Sequence, residues 1–135
     1  MRLTLVTPTQ LLVDADGVLR LRARDASGAF GVLPGHTEFV THLAVSVLSW
    51  TDARGEHHVA LRGGTLVVEP GDRIRVATRE AVLSDDLSAL EPAVVDRLRH
   101  AAEVAEKARV SSVQLERALI RQAVRALQGP AEVAP

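Results

Sequence analysis

An N-terminal all-β sandwich or barrel of about eight to ten short strands, followed by a C-terminal antiparallel two-helix hairpin, is the fold this sequence predicts. Two observations carry it. From residue 2 to about 83, apolar and polar residues alternate in short runs divided by Gly, Asp and Pro clusters, the pattern of half-buried strands and tight turns. After Ser84-Asp85-Asp86 the composition turns rich in Ala, Glu and Arg, and the apolar period lengthens to that of a helix. The domains expected are a sandwich over 1–85, an αα-hairpin over 86–129 and a disordered tail over 130–135.

Within the first part the clearest strand is Val18 to Arg24, with Leu19, Leu21 and Ala23 expected inward and Arg20, Arg22 and Arg24 outward. Arg73-Ile74-Arg75-Val76 repeats that alternation. Turns are marked by Asp14-Ala15-Asp16-Gly17, Asp25-Ala26-Ser27-Gly28, Asp52-Ala53-Arg54-Gly55 and Glu69-Pro70-Gly71-Asp72. Asp25, Asp52, Glu56 and Asp72 read most simply as solubilising residues of those turns. In the second part Val94, Leu98, Ala101, Ala105 and Ala108 fall on one helical stripe, and Pro92 suits a first turn, so helix one is expected from near Glu91. Ser111-Ser112-Val113-Gln114 has the form of a capping box, which predicts a second helix whose inner face carries Val113, Ile120, Val124 and Leu127 and which Gly129-Pro130 ends.

Composition narrows the function. Apolar residues make up 47% of the chain, enough for a core, but with one Trp and two Phe that core is aliphatic. A net charge of −1 without a basic run argues against nucleic-acid binding, which needs concentrated positive charge. The absence of Cys excludes disulfides and thiolate chemistry. The opening Met1-Arg2-Leu3-Thr4-Leu5-Val6-Thr7-Pro8 is too short an apolar stretch for a signal peptide, and no run of about 18 apolar residues follows, so a soluble, unexported chain is expected.

Catalytic patterns are missing. The only lysine, Lys107, lies in an Ala-rich helix with no glycine loop before it, so no nucleotide-hydrolysing P-loop is present. His57 and His58 are adjacent on a strand and point to opposite faces, which prevents joint chelation; no metal site is expected. No Gly-x-Ser-x-Gly elbow occurs, and no catalytic residue is assigned.

Two features invite a binding role. Gly28-Ala29-Phe30-Gly31-Val32-Leu33-Pro34-Gly35-His36 packs three glycines, a proline and a histidine around small apolar residues, the chemistry of a rigid loop. His36 either holds that loop by bonding backbone or meets a partner as an exposed contact. Arg117, Arg121 and Arg125 recur every four residues, either as a solvated helix face or as a stripe that grips carboxylates of an acidic partner.

The glycine loop, followed by Leu61-Arg62-Gly63-Gly64-Thr65-Leu66-Val67-Val68-Glu69-Pro70-Gly71-Asp72 and the alternation Ile74, Val76, closely resembles the epsilon subunit of the F-type ATP synthase over about residues 1 to 90. The resemblance implies a non-catalytic rotor subunit at the foot of the central stalk, packed on a gamma-type subunit and touching the loops of the membrane c-ring, peripheral on the cytoplasmic face of the membrane. It also implies a C-terminal helix pair that can fold down or extend towards the catalytic head, where it restrains ATP hydrolysis; the four-residue spacing of Arg117, Arg121 and Arg125 makes that stripe the expected contact with acidic residues there. The loop contacting the ring maps onto Ala29, Phe30, Gly31, Val32, Leu33, Pro34, Gly35 and His36. Ala29 stands where some members carry an acid, so contact through backbone and His36 is expected rather than a charge pair. Some bacterial members bind ATP through a motif with Asp and Arg; the aligned Leu87-Ser88-Ala89-Leu90-Glu91-Pro92 lacks both, and the shifted Val95-Asp96-Arg97-Leu98-Arg99-His100 reads as an i,i+3 ion pair. No cofactor is therefore expected. A free-standing β-sandwich adaptor or ligand-binding module with a helical dimerisation arm is the alternative the residues leave open, and a divergent or accessory-operon synthase the variant of the first reading.

Overall fold

The structure, a computed structural model, describes residues 1–128. Met1–Ala102 forms one compact unit and the chain from Glu103 a second. Eight strands build the first: β1 (Arg2–Val6), β2 (Leu11–Ala15), β3 (Arg20–Asp25), β4 (Gly28–Val32), β5 (Phe39–Asp52), β6 (Gly55–Glu69), β7 (Arg73–Ala77) and β8 (Ala81–Ser84). Their order is β2-β1-β7-β6-β5-β3-β4, with β8 also paired to β6. All pairings are antiparallel except β1 with β7. The sandwich expected from the alternating pattern is present.

The long β5–β6 hairpin makes two layers from one ribbon. Its register is constant from Phe39↔Val68 to Asp52↔Gly55. A regular pleat would therefore keep one set of side chains on one face throughout. Yet the core takes Leu43, Leu66 and Val68 at one end and Leu48, Trp50, Val59 and Leu61 at the other, odd positions giving way to even on β5 and even to odd on β6. The ribbon must kink between, and it does so at Gly63 and Gly64, with φ of 68° and 129°. A Cβ on Gly64 would lie 2.1 Å from the Ala77 carbonyl oxygen, so only glycine allows that approach. Beyond the kink β6 exchanges β8 for β7 as its partner.

Alternation is kept in β3, where Leu21 and Ala23 are buried and Arg20, Arg22 and Arg24 exposed, and in β7, where Ile74 and Val76 are buried. The expectation for Leu19 is corrected: it is exposed and Val18 is buried instead, because the chain enters the regular strand only at Arg20. The turn at Asp14-Ala15-Asp16-Gly17 leads Val18 back to β1, where its amide donates to the Met1 carbonyl at 2.9 Å.

A second, smaller core lies on the outer face of β5, β6 and β8. Ala60, Val45, Val47 and Val82 are covered there by Leu90, Val94, Val95 and Leu98. Leu90 belongs to α1 (Leu87–Leu90), a short helix not foreseen in the sequence, whose N-cap Asp86 accepts from the Ser88 amide at 3.0 Å. The others belong to α2 (Ala93–Gln128).

The hairpin turn is the main correction. Helix α2 runs without a break through Ser111 and Ser112. No Gly or Pro occurs between Ala93 and Gln128, and serine inside a helix costs only about 0.5 kcal/mol relative to Ala, too little to end one. Val113, Ile120, Val124 and Leu127, expected to pack against a first helix, are all exposed. The predicted Gly129-Pro130 stop and the tail over 130–135 lie outside the described residues.

Candidate functional site

The glycine loop divides into a strand and a turn. Gly28 to Val32 is β4, paired with β3 in the register Leu21↔Val32 to Asp25↔Gly28. Gly28, with φ of 116°, closes the β3–β4 hairpin, and Asp25 supports it by accepting from the Ser27 amide at 2.9 Å and from the Thr41 hydroxyl at 2.7 Å. Hydrogen bonds from Ser27 and then Thr41 hold the Asp25 carboxyl below the usual carboxylate range. Asp25 is thus more than a solubilising residue: it ties the hairpin to β5.

Leu33-Pro34-Gly35-His36 is a β-turn. The His36 amide donates to the Leu33 carbonyl at 3.1 Å, and Gly35 has φ of 83°. Proline followed by a glycine with positive φ is the signature of a type II turn. The turn is anchored from 37 residues away, where the Gly35 amide donates to Asp72 Oδ1 at 2.8 Å. Asp72 itself has φ of 56°, unusual outside glycine, and its carbonyl accepts the Arg2 amide at 2.9 Å. One aspartate joins the β4–β5 turn, the β6–β7 turn and the start of β1, a correction to the solubilising role expected of it.

At this end of the sandwich the half-buried Phe30 meets Phe39 edge-on at 5.7 Å between ring centroids, and the exposed His36 meets Phe39 at 5.8 Å. Val32 is fully buried. Outside lie Ala29, Gly31, Pro34, Gly35 and His36, with Leu33 60% exposed. His36 Nδ1 lies 2.7 Å from the Thr37 carbonyl, so it is the donor there. The ring thus holds backbone while the residue remains exposed. The surface offered is small, apolar and stiff.

Arg117, Arg121 and Arg125 all lie on the second unit, exposed along α2. Among the described residues none of them has a carboxylate within 4.0 Å. His57 and His58 engage different partners, His57 the carboxylates of Asp52 and Asp85 and His58 the Ser49 hydroxyl. Among the described residues no helix is long and apolar enough to cross a membrane.

Comparison with known proteins agrees with this architecture. Residues 1–84 match the family model for the ATP synthase Delta/Epsilon chain β-sandwich domain. The chain is 39% identical over 132 residues to ATP synthase epsilon chain 2 of Paraburkholderia xenovorans, covering 95% of this chain and 93% of that one. It belongs to the ATP synthase epsilon family. It is also 37% identical to epsilon chain 2 of Cereibacter sphaeroides over 93% of its length and 86% of the relative's. Among solved structures, a chain of the Euglena gracilis mitochondrial ATP synthase OSCP/F1/c-ring complex superposes with a TM-score of 0.57 at 27% identity, covering 70% of this chain and 61% of that one.

Two departures within the epsilon pattern have structural content. Leu87–Leu90, in the stretch that lacks the expected Asp and Arg, forms α1, and its Leu90 is buried in the second core. The displaced Asp96 and Arg99 form the i,i+3 ion pair expected for them, at 3.2 Å.

Proposed function

We propose that this epsilon chain is a non-catalytic rotor subunit of a rotary F-type ATP synthase, peripheral on the cytoplasmic face of the membrane, joining a gamma-type stalk subunit to the loops of the c-ring. The observation that carries the reading is likeness to epsilon chains along nearly the whole length of both partners. The stiff turn Leu33-Pro34-Gly35-His36, with Ala29 and Gly31 beside it, supplies a surface that meets ring loops through backbone and apolar contact, without a charge pair. Helix α2 reaches the catalytic head with Arg117, Arg121 and Arg125 and restrains hydrolysis. Regulatory ATP forms no part of this reading, since the charged residues of that motif are absent from Leu87 to Pro92. Two relatives carry the name epsilon chain 2, which supports a synthase encoded as a second set.

Co-purification tests the reading. Tagged epsilon chain, produced together with the gamma-type subunit of the same genome, is expected to co-elute with it as a stoichiometric complex. Separate elution under conditions that hold the other head subunits together refutes the assignment.

A further inference from the structure

Beside the β5–β6 turn, His57 lies between two carboxylates from different elements. Its Nε2 is 3.1 Å from Asp52 Oδ1, at the end of β5, and its Nδ1 is 2.9 Å from Asp85 Oδ1, in the joint between β8 and α1. Its ring lies against the indole of Trp50, with 5.3 Å between centroids and a 31° tilt. A carboxylate only accepts, so both contacts are hydrogen bonds only when both ring nitrogens carry protons. Neutral imidazole has one N–H, and one of the two contacts must then be lost.

We propose that His57 is a proton-operated clasp: as the imidazolium it pins the Ser84–Asp86 joint to the β5–β6 turn, and on deprotonation it keeps Asp52 and releases Asp85. The choice of Asp85 follows from its surroundings. Asp52 has a side chain only 16% exposed, sits five residues from His57 on the same hairpin, and has a further bond from the Arg54 amide at 2.8 Å. Asp85 is 84% exposed and regains full hydration when it lets go. Other charges nearby leave the pair undisturbed. Asp14 of β2 lines the same shallow cavity but is paired with Arg2 at 3.0 Å. Asp86 is engaged by Ser88, His58 by Ser49, and Glu56 is exposed on β6.

Bonds from Asp85 and then Asp52 raise the His57 pKa above the ordinary histidine value, against a smaller opposing effect of burial. The clasp is thus fully formed below the ordinary value and lost as pH rises through the raised one. What it controls is the root of the helical region: Asp85 adjoins Asp86, whose side chain caps α1 and whose carbonyl accepts the Ala89 amide. The firmness of the link between sandwich and helix becomes a function of proton concentration.

The test uses the isolated full-length chain and is independent of its partners. Trp50 is the only tryptophan, so its emission, quenched by adjacent imidazolium, reports the titration. Imidazole 15N shifts identify the nitrogen that keeps its proton, and hydrogen exchange at the Ser88, Ala89 and Glu91 amides reports the joint. Between pH 6 and 8.5 the wild type is expected to retain the proton on Nε2 and to lose at least 5-fold in protection at those amides. His57→Gln should show no such change. Should that variant fold poorly, Asp85→Asn keeps His57 and is expected to lower the Trp50 midpoint. Retention on Nδ1, protection with the same pH profile in wild type and His57→Gln, or an unmoved midpoint in Asp85→Asn overturns the clasp.

Discussion

Asp72 is the residue on which the candidate ring-facing loop depends. It accepts the Gly35 amide across 37 residues of sequence while holding a left-handed backbone conformation itself. Two substitutions separate those roles from simple solubility. Asp72→Asn keeps an acceptor oxygen and a side chain that tolerates positive φ, so urea unfolding should change by less than about 0.5 kcal/mol. Asp72→Ala loses both and should cost roughly 1–2 kcal/mol. Gly35→Val should cost about as much or more, because a β-branched residue resists positive φ. No atom stands within 4 Å of where its Cβ would be, so the cost is conformational rather than steric. Both destabilising variants should weaken association with the stalk and ring; normal assembly by Gly35→Val would remove the loop from the candidate interface. The Pro34-Gly35 turn was legible in the sequence because proline and glycine dictate type II geometry locally. The role of Asp72 was not, since nothing in a Pro-Gly-Asp turn says which amide, 37 residues earlier, its carboxylate will meet.

At the scale of elements, Gly63 and Gly64 convert one hairpin into two layers. The pair was legible as part of a glycine block, but its purpose appears only when the core-facing positions are compared across it. Gly64→Ala places a methyl against the Ala77 carbonyl at a φ that alanine rarely adopts, and β7 must shift or the kink must open. The expected loss is at least about 3 kcal/mol by urea unfolding, among the large effects for a single residue. Gly17→Ala is the comparison: its φ is also positive, but nothing lies within 4 Å of its Cβ, and it should cost about 1–2 kcal/mol. Equal losses at the two sites would show that close approach is not what demands glycine at Gly64. Helix α2 shows the opposite limit of sequence reading. Its amphipathic start was visible but its length was not, because Ser111-Ser112 resembled a cap although helix formers on both sides outweigh two serines. A capping pattern marks a helix start only where the chain has reason to stop before it, and between Ala93 and Gln128 there is none.

For the whole molecule the question is what an exposed amphipathic helix is for. At about 100° per residue, Val113, Ile120, Val124 and Leu127 lie on one side of α2 and Leu115 and Leu119 on another, with Arg117, Arg121 and Arg125 fanned over roughly 80° at the edge of the first. All nine are exposed. Two apolar faces left open are more than a solvated arm requires and suit a helix that lies between two protein surfaces. Charge would then set register and orientation, with the arginines meeting carboxylates of the catalytic head. Replacing all three with Glu should leave the isolated chain folded, with stability within about 1 kcal/mol, since each side chain is exposed and without an ion-pair partner among the described residues. In the assembled synthase the same change should raise ATP hydrolysis if the proposed docking holds, because like charges would then oppose a contact that opposite charges would favour. The wild-type restraint should weaken with added salt, and the triple variant should be insensitive to it. Equal hydrolysis by both across the salt series would assign Arg117, Arg121 and Arg125 to solvent and leave the apolar faces alone to account for whatever α2 does in the complex.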